Sequence, residues 1–158
     1  MTNSQFSQSN DRHLILLGSS PRWQAAIIRE RASWRISWAL DIADLFQEAE
    51  TRHVAFGLIE VNRANLAGIC KAIASRSIPG GLLLAAAGNF ELTPWLPQLR
   101  SCGFSAVFQS LNQADQLVQM GERHFDNAAT CSRRSLEEII ESRLPWKPVL
   151  PSAANYKN

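Results

Sequence analysis

A carboxylate at the end of an apolar run, a Gly-Ser-Ser turn and an isolated serine are the residues of this sequence best placed for chemistry. Glu60 closes VAFGLIE, Ser19 and Ser20 follow HLILLG, and Ser110 follows FSAVFQ. Glu60 offers acid–base work or a fixed negative charge. Acid–base catalysis needs a partner group within hydrogen-bond reach of the same substrate. No histidine or second acid stands at a matching position, so a capping or charge-mimicking carboxylate is the better reading. Ser19, Ser20 or Ser110 as a nucleophile needs an adjacent base, and none is evident. The amides and hydroxyls of Ser19 and Ser20, just ahead of Pro21, suit an anion; a plain turn with a capping serine is the favoured reading. His13, His53 and His124 fall at element boundaries, read as solvated, and make no metal set. Cys70, Cys102 and Cys131 are odd in number and contain no Cys-x-x-Cys pair, which speaks against zinc and against a disulfide framework. Cys70 and Cys102 lie among apolar residues and read as small hydrophobes.

The elements that must position these residues alternate. HLILL is a short continuous apolar run, as in a strand buried on both faces. Pro21 then opens a helix, with Trp23, Ala26, Ile27 and Glu30 at helical spacing. WRISWAL is a second strand. Asp41 caps a second helix with Ile42, Leu45, Phe46 and Ala49 on one stripe. VAFGLIEV is a third strand, followed by a helix carrying Leu66, Ile69, Cys70 and Ile73. GLLLAAAG is a fourth strand between glycines. Pro94 and Pro97 predict a short, distorted helix around Trp95 to Leu99, ended by Gly103. FSAVFQS is a fifth strand, and a fifth helix turns Ala114, Leu117, Val118 and Phe125 inward.

Strand–helix alternation of this kind demands parallel strands with right-handed crossovers and helices on both faces. Five compact units predict a three-layer α/β/α sandwich around a five-stranded parallel sheet of order 2-1-3-4-5, a flavodoxin-like architecture. Ligands in such sheets meet the carboxyl ends of the strands. That edge comprises Gly18, Ser19 and Ser20, then Glu60 and Asn62, then Ala85 to Gly88, then Gln109 and Ser110. One use of the edge is FMN, its phosphate at Ser19 and Ser20 and its ring against Trp95 or Phe90. The Gly/Thr-rich phosphate loop of flavodoxins is missing, so FMN is the alternative and no cofactor is the leading expectation.

Over residues 12–127 the chain resembles the receiver domain of bacterial two-component response regulators. HLILLGSSP resembles the first strand, which ends in an acidic pair. GLIEVNRANLAG resembles the third strand, with Glu60 and Gly68 at the separation of the phospho-accepting aspartate and a following glycine. CGFSAVFQSL resembles the approach to the fifth strand, with Gly103 and Ser110 at the separation of its glycine and lysine. The resemblance implies the metal positions at Gly18 and Ser19, the phospho-acceptor at Glu60, the switch hydroxyl at Ala85 or Ala86, and the lysine at Ser110. Each of these positions has lost its functional side chain. Phosphoryl transfer to a carboxylate needs a divalent cation, and magnesium needs hard oxygen ligands, usually carboxylates. Glycine and serine bring no charge. The expectation is a pseudo-receiver without catalysis, acting by contact with an unidentified signalling protein. Its expected surface includes Trp95, Phe108, Leu111, Ile139 and Leu144.

The chain has 158 residues, 46% hydrophobic and 19% charged, which excludes general disorder. A net charge of +2, carried by 13 arginines and 3 lysines, is too weak for a dedicated nucleic-acid binder. No apolar run approaches a membrane span, and the Ser/Asn/Gln-rich residues 1–11 read as a flexible tail rather than a signal peptide. The expected compartment is the cytoplasm. Residues 128–158 form an extension with a helix near 135–144, whose stripe of Leu136, Ile139, Ile140 and Leu144 would dock on the body, dimerise the chain or bind another protein.

Overall fold

Residues 12–30 and 33–133 are described by a computed structural model. Five strands, β1 (His13–Leu17), β2 (Arg35–Trp38), β3 (Ala55–Glu60), β4 (Leu82–Ala87) and β5 (Ala106–Phe108), form one sheet in the order β2-β1-β3-β4-β5. Every pairing is parallel, so the α/β fold and its strand order are as the sequence predicts. The helices are α1 (Pro21–Glu30), α2 (Ile42–Glu50), α3 (Leu66–Ala74), α4 (Leu96–Ser101) and α5 (Ala114–Arg133).

The central strands are apolar throughout because helices cover both faces. On one face Ile15, Ile59, Leu84 and Ala86 pack with Leu45 and Phe46 of α2, Leu66, Cys70 and Ile73 of α3, and Leu99 of α4. On the other Leu14, Leu16, Leu58 and Ala85 pack with Trp23 and Ile27 of α1 and Leu117, Val118 and Phe125 of α5. The predicted inward residues of α1 and α2 are buried except Glu30, which is exposed at the end of its helix. Asp41 caps α2 as expected, accepting from the Asp44 amide at 2.8 Å.

The fourth unit resolves the proline problem in two pieces. A 3-10 turn over Phe90–Trp95 contains Pro94, and Pro97 sits in the first turn of α4, where its missing N–H has no helical acceptor to lose. Gly103 ends the segment at φ +110°, a conformation that favours glycine. Helix α5 runs unbroken through residue 127 to Arg133; the expected helix near 135–144, with Ile139 and Leu144, lies outside the described residues. Among the described residues no helix is long and apolar enough to cross a membrane.

Trp34 locks α5 to the sheet. Its indole meets Phe56 edge-on at 6.0 Å and Phe125 at 5.6 Å, and its N–H donates to Glu122 Oε1 at 2.6 Å. Flanking the edge strand, it reads in sequence as either a partner anchor or packing; the fold buries it. Gly121 permits the approach, since a Cβ there would strike the Trp34 ring. Trp34→Ala is expected to lower stability by about 3–5 kcal/mol, and Gly121→Ala by about 1–3 kcal/mol through overpacking. Urea denaturation monitored by circular dichroism measures both.

Candidate functional site

The carboxyl ends of the strands converge as the topology requires. Glu60 ends β3, and its register partner on β4 is Ala87. The resemblance implies the switch position at Ala85 or Ala86; Ala85 packs on the same face as Ala87, and Ala86 on the opposite one. No hydroxyl stands at any of the three positions.

Glu60 is not free. Its Oε2 accepts from the amide of Ser19 at 3.0 Å and that of Ser20 at 3.1 Å. Successive backbone N–H groups form a concavity that attracts anions, and here the chain's own side chain fills it. The sequence favours a plain turn with a capping serine over an external anion at Ser19 and Ser20; the structure gives those amides an internal carboxylate. Ser20 also caps α1, its hydroxyl accepting from the Arg22 amide at 3.3 Å. Gly18 completes the arrangement. A Cβ at that position would lie 2.6 Å from both the Glu60 Cβ and its Oε2.

The neighbouring loops are tied off in the same way. Asn62 Oδ1 accepts from the amides of Ala64 and Asn65, while Asn65 Oδ1 accepts from Asn62 N and its amide group donates to the Glu60 carbonyl. Ser110 caps the 3-10 turn Leu111–Gln113 in a capping box, with Gln113 Oε1 accepting from the amides of Gln109 and Ser110. Gln109 donates to Thr93 Oγ1 at 2.9 Å, joining the β5 end to the fourth unit. The cleft left among Gly18, Ser20, Trp23, Trp38, Glu60 and Ala87 is about 10 Å³, space for one water molecule. Trp95 and Phe90, the ring positions of the flavin alternative, do not line this cleft. Among the described residues no group of three His, Cys, Asp or Glu side chains is arranged to hold a metal ion.

The expected contact residues divide. Trp95 and Leu111 are 38% and 40% exposed. Phe108 is only 5% exposed, because its ring packs against Trp23 at 6.5 Å, and it leaves the surface set. Phe90, 73% exposed at the end of β4, joins it.

Two histidines depart from the solvated reading. His13 is buried. The Ser37 hydroxyl donates to Glu48 Oε1 at 2.6 Å, which leaves His13 Nε2 to donate to Ser37 Oγ at 2.8 Å and to Glu48 Oε1 at 3.1 Å. This cluster ties β1 and β2 to α2. His124 lies within α5 and its Nε2 meets the carbonyls of Ala55 and Gly81, each at 3.1 Å. No local pattern reveals either role, because every partner is remote in sequence.

No family model matches the chain, and no curated protein matches it in sequence. Among solved structures it is similar to the adenylate cyclase from Rhodopirellula baltica, with a TM-score of 0.56 at 10% identity. The superposition covers 83% of this chain and 98% of that one. The likeness is one of fold. It supports the α/β architecture and carries no site residue across.

Two measurements test the site. Gly18→Ala is expected to cost about 1–3 kcal/mol, and that cost shrinks in a Glu60→Gly background, where the atoms that the new methyl meets are gone; a double-mutant cycle in urea reads the coupling. Glu48 gives the pH dependence. Burial works to raise its pKa, but the Ser37 hydroxyl, His13 and Arg52 outweigh it and hold the group below its ordinary 4.5. A carboxylate depressed by folding contributes stability present above its unfolded pKa and lost as pH falls through the folded value. The gap in urea midpoint between wild type and Glu48→Gln therefore narrows as pH falls from neutral through 4.5 and below.

Proposed function

We propose that the chain is a non-catalytic, phosphorylation-independent receiver-like module that signals through protein–protein contact. The observation that carries this reading is the Glu60 carboxylate bound to the Ser19 and Ser20 amides. A phospho-acceptor must offer a carboxylate oxygen to in-line attack beside a divalent cation. Here one oxygen is engaged twice by backbone donors, and the positions matching the metal ligands are Gly18 and Ser19. An aspartate at Gly18 meets the same steric obstacle as alanine, its Cβ falling on Glu60. Ser110, matching the lysine, is occupied as a helix cap. Glu60 places a carboxylate at the position where a receiver is phosphorylated, and the loop before α1 is fastened to it.

The surface offered to a partner lies at the ends of β4 and β5, where Phe90, Trp95 and Leu111 are exposed. Aromatic side chains are enriched at the cores of protein interfaces. The partner is an unidentified signalling protein; homodimerisation is the other occupant to test.

Incubation with acetyl phosphate and magnesium is expected to leave the protein unlabelled by intact mass. Stoichiometric phosphorylation at Glu60 would overturn the reading. Phe90→Ser and Leu111→Ser are expected to leave stability within about 0.5 kcal/mol of wild type while weakening partner capture in a pull-down. A loss of stability with capture unchanged would assign those residues to packing instead.

A further inference from the structure

We infer that the ends of β4 and β5 receive a cationic amphipathic helix from a partner protein, its apolar side chains seated on Phe90, Trp95 and Leu111 and its lysines or arginines facing Glu91 and Asp115. The inference rests on the contact surface proposed above and adds the chemistry of what covers it.

The three exposed apolar side chains are held together by the fold. The Gly88 amide donates to the Phe108 carbonyl at 2.8 Å, and Gln109 Nε2 donates to Thr93 Oγ1 at 2.9 Å. These bonds set the Phe90–Trp95 turn beside the turn that begins at Leu111. Grouped exposed apolar side chains mark a contact surface.

The charge around them has one sign. Over residues 77–121 the charged residues are Glu91, Arg100 and Asp115. Arg100 lies in the last turn of α4, which leads away from these turns toward the start of β5. Glu91 and Asp115 stand in the first turns of the 3-10 segment and of α5, and both are exposed. Acids complement helix starts, but the partial charge there is only about half a unit and does not cancel a carboxylate. A chain of net charge +2 is thus locally acidic around this patch. Nucleic acid and anionic lipid carry the wrong sign for it, whereas a cationic partner is steered to it and held in register.

The backbone of these turns is already engaged. The amides of Gln109 and Ser110 donate to Gln113 Oε1, that of Glu91 to Asn89 Oδ1, and that of Leu92 to the Asn89 carbonyl. The turns therefore offer a partner side chains rather than strand pairing. A helix meets such anchors with one face, at i, i+3 or i+4, and i+7.

The test titrates the full chain into a labelled peptide of about 14 residues, roughly four helical turns, with leucine on one face and lysine elsewhere. A counterpart carries glutamate for lysine, and fluorescence anisotropy reads both. The lysine peptide is expected to bind, and the glutamate peptide about tenfold more weakly. Phe90→Ser or Leu111→Ser weakens the lysine peptide about tenfold. Glu91→Gln combined with Asp115→Asn weakens it about threefold, and added salt erodes the affinity. Leu40→Ser, at a leucine 90% exposed beyond β2 on the far side of the sheet, keeps wild-type affinity. Thermal melts check that each variant is folded. Binding of neither peptide, an equal loss in Leu40→Ser, or a dimer in sedimentation that Phe90→Ser dissolves overturns the inference, the last by making a second copy the occupant. Equal binding of both peptides, still lost in Phe90→Ser, overturns the cationic partner and leaves the contact surface standing. Binding that Phe90→Ser and Leu111→Ser do not touch removes both.

Discussion

A carboxylate from the third strand satisfies the backbone N–H groups that lead into the first helix, and the strand-end edge is organised around that contact. Parallel topology brings Ser19, Ser20 and Glu60 to one edge although 40 or so residues separate them. The N–H groups there need an acceptor. In many α/β proteins a ligand's phosphate supplies it. In this chain the acceptor is built in, so the turn is complete without a ligand. The absence of a side chain at Gly18, the small cleft and the capped Ser110 loop all agree with an edge that has closed on itself.

The sheet was legible because its signals are local. Continuous apolar runs mark strands covered on both faces, and three- and four-residue spacing marks the buried stripes of α2 and α3. Asp41, Pro97 and Gly103 act through their own backbone, so their effects can be read where they stand. The site was legible only as a set of positions. That Glu60 faces the Ser19 and Ser20 amides depends on how two strands and a loop meet in space. That Ala87 is the register partner of Glu60 depends on a pairing that a run of three alanines cannot specify. Phe108 looked like a surface aromatic in a short terminal strand, and its burial follows from Trp23 on a helix some 85 positions earlier. His13 was hidden for the same reason, its oxygens coming from β2 and α2.

The two faces of the sheet are held differently. The α1/α5 face relies on large rings, with Trp34 set edge-on between Phe56 and Phe125 and Gly121 making the space. Arg12 reinforces it through ion pairs with Glu122 and Asp126. The α2/α3/α4 face is mostly aliphatic, with Phe46 and Phe104 as its rings, and carries Cys70 and Cys102. Rings in edge contact fix orientation more tightly than interchangeable aliphatic side chains.

Gly18 and Glu60 also bear on how this chain can change over generations. Each excludes a larger neighbour: the carboxylate occupies the volume that any side chain at position 18 requires, down to its first carbon. Shortening Glu60 to aspartate keeps the obstructing Cβ, so it does not open that volume. An acidic pair at this edge is therefore out of reach of any one substitution, and intermediates on the way to it pass through a less stable protein. The contact works as a ratchet that holds this edge in its present form.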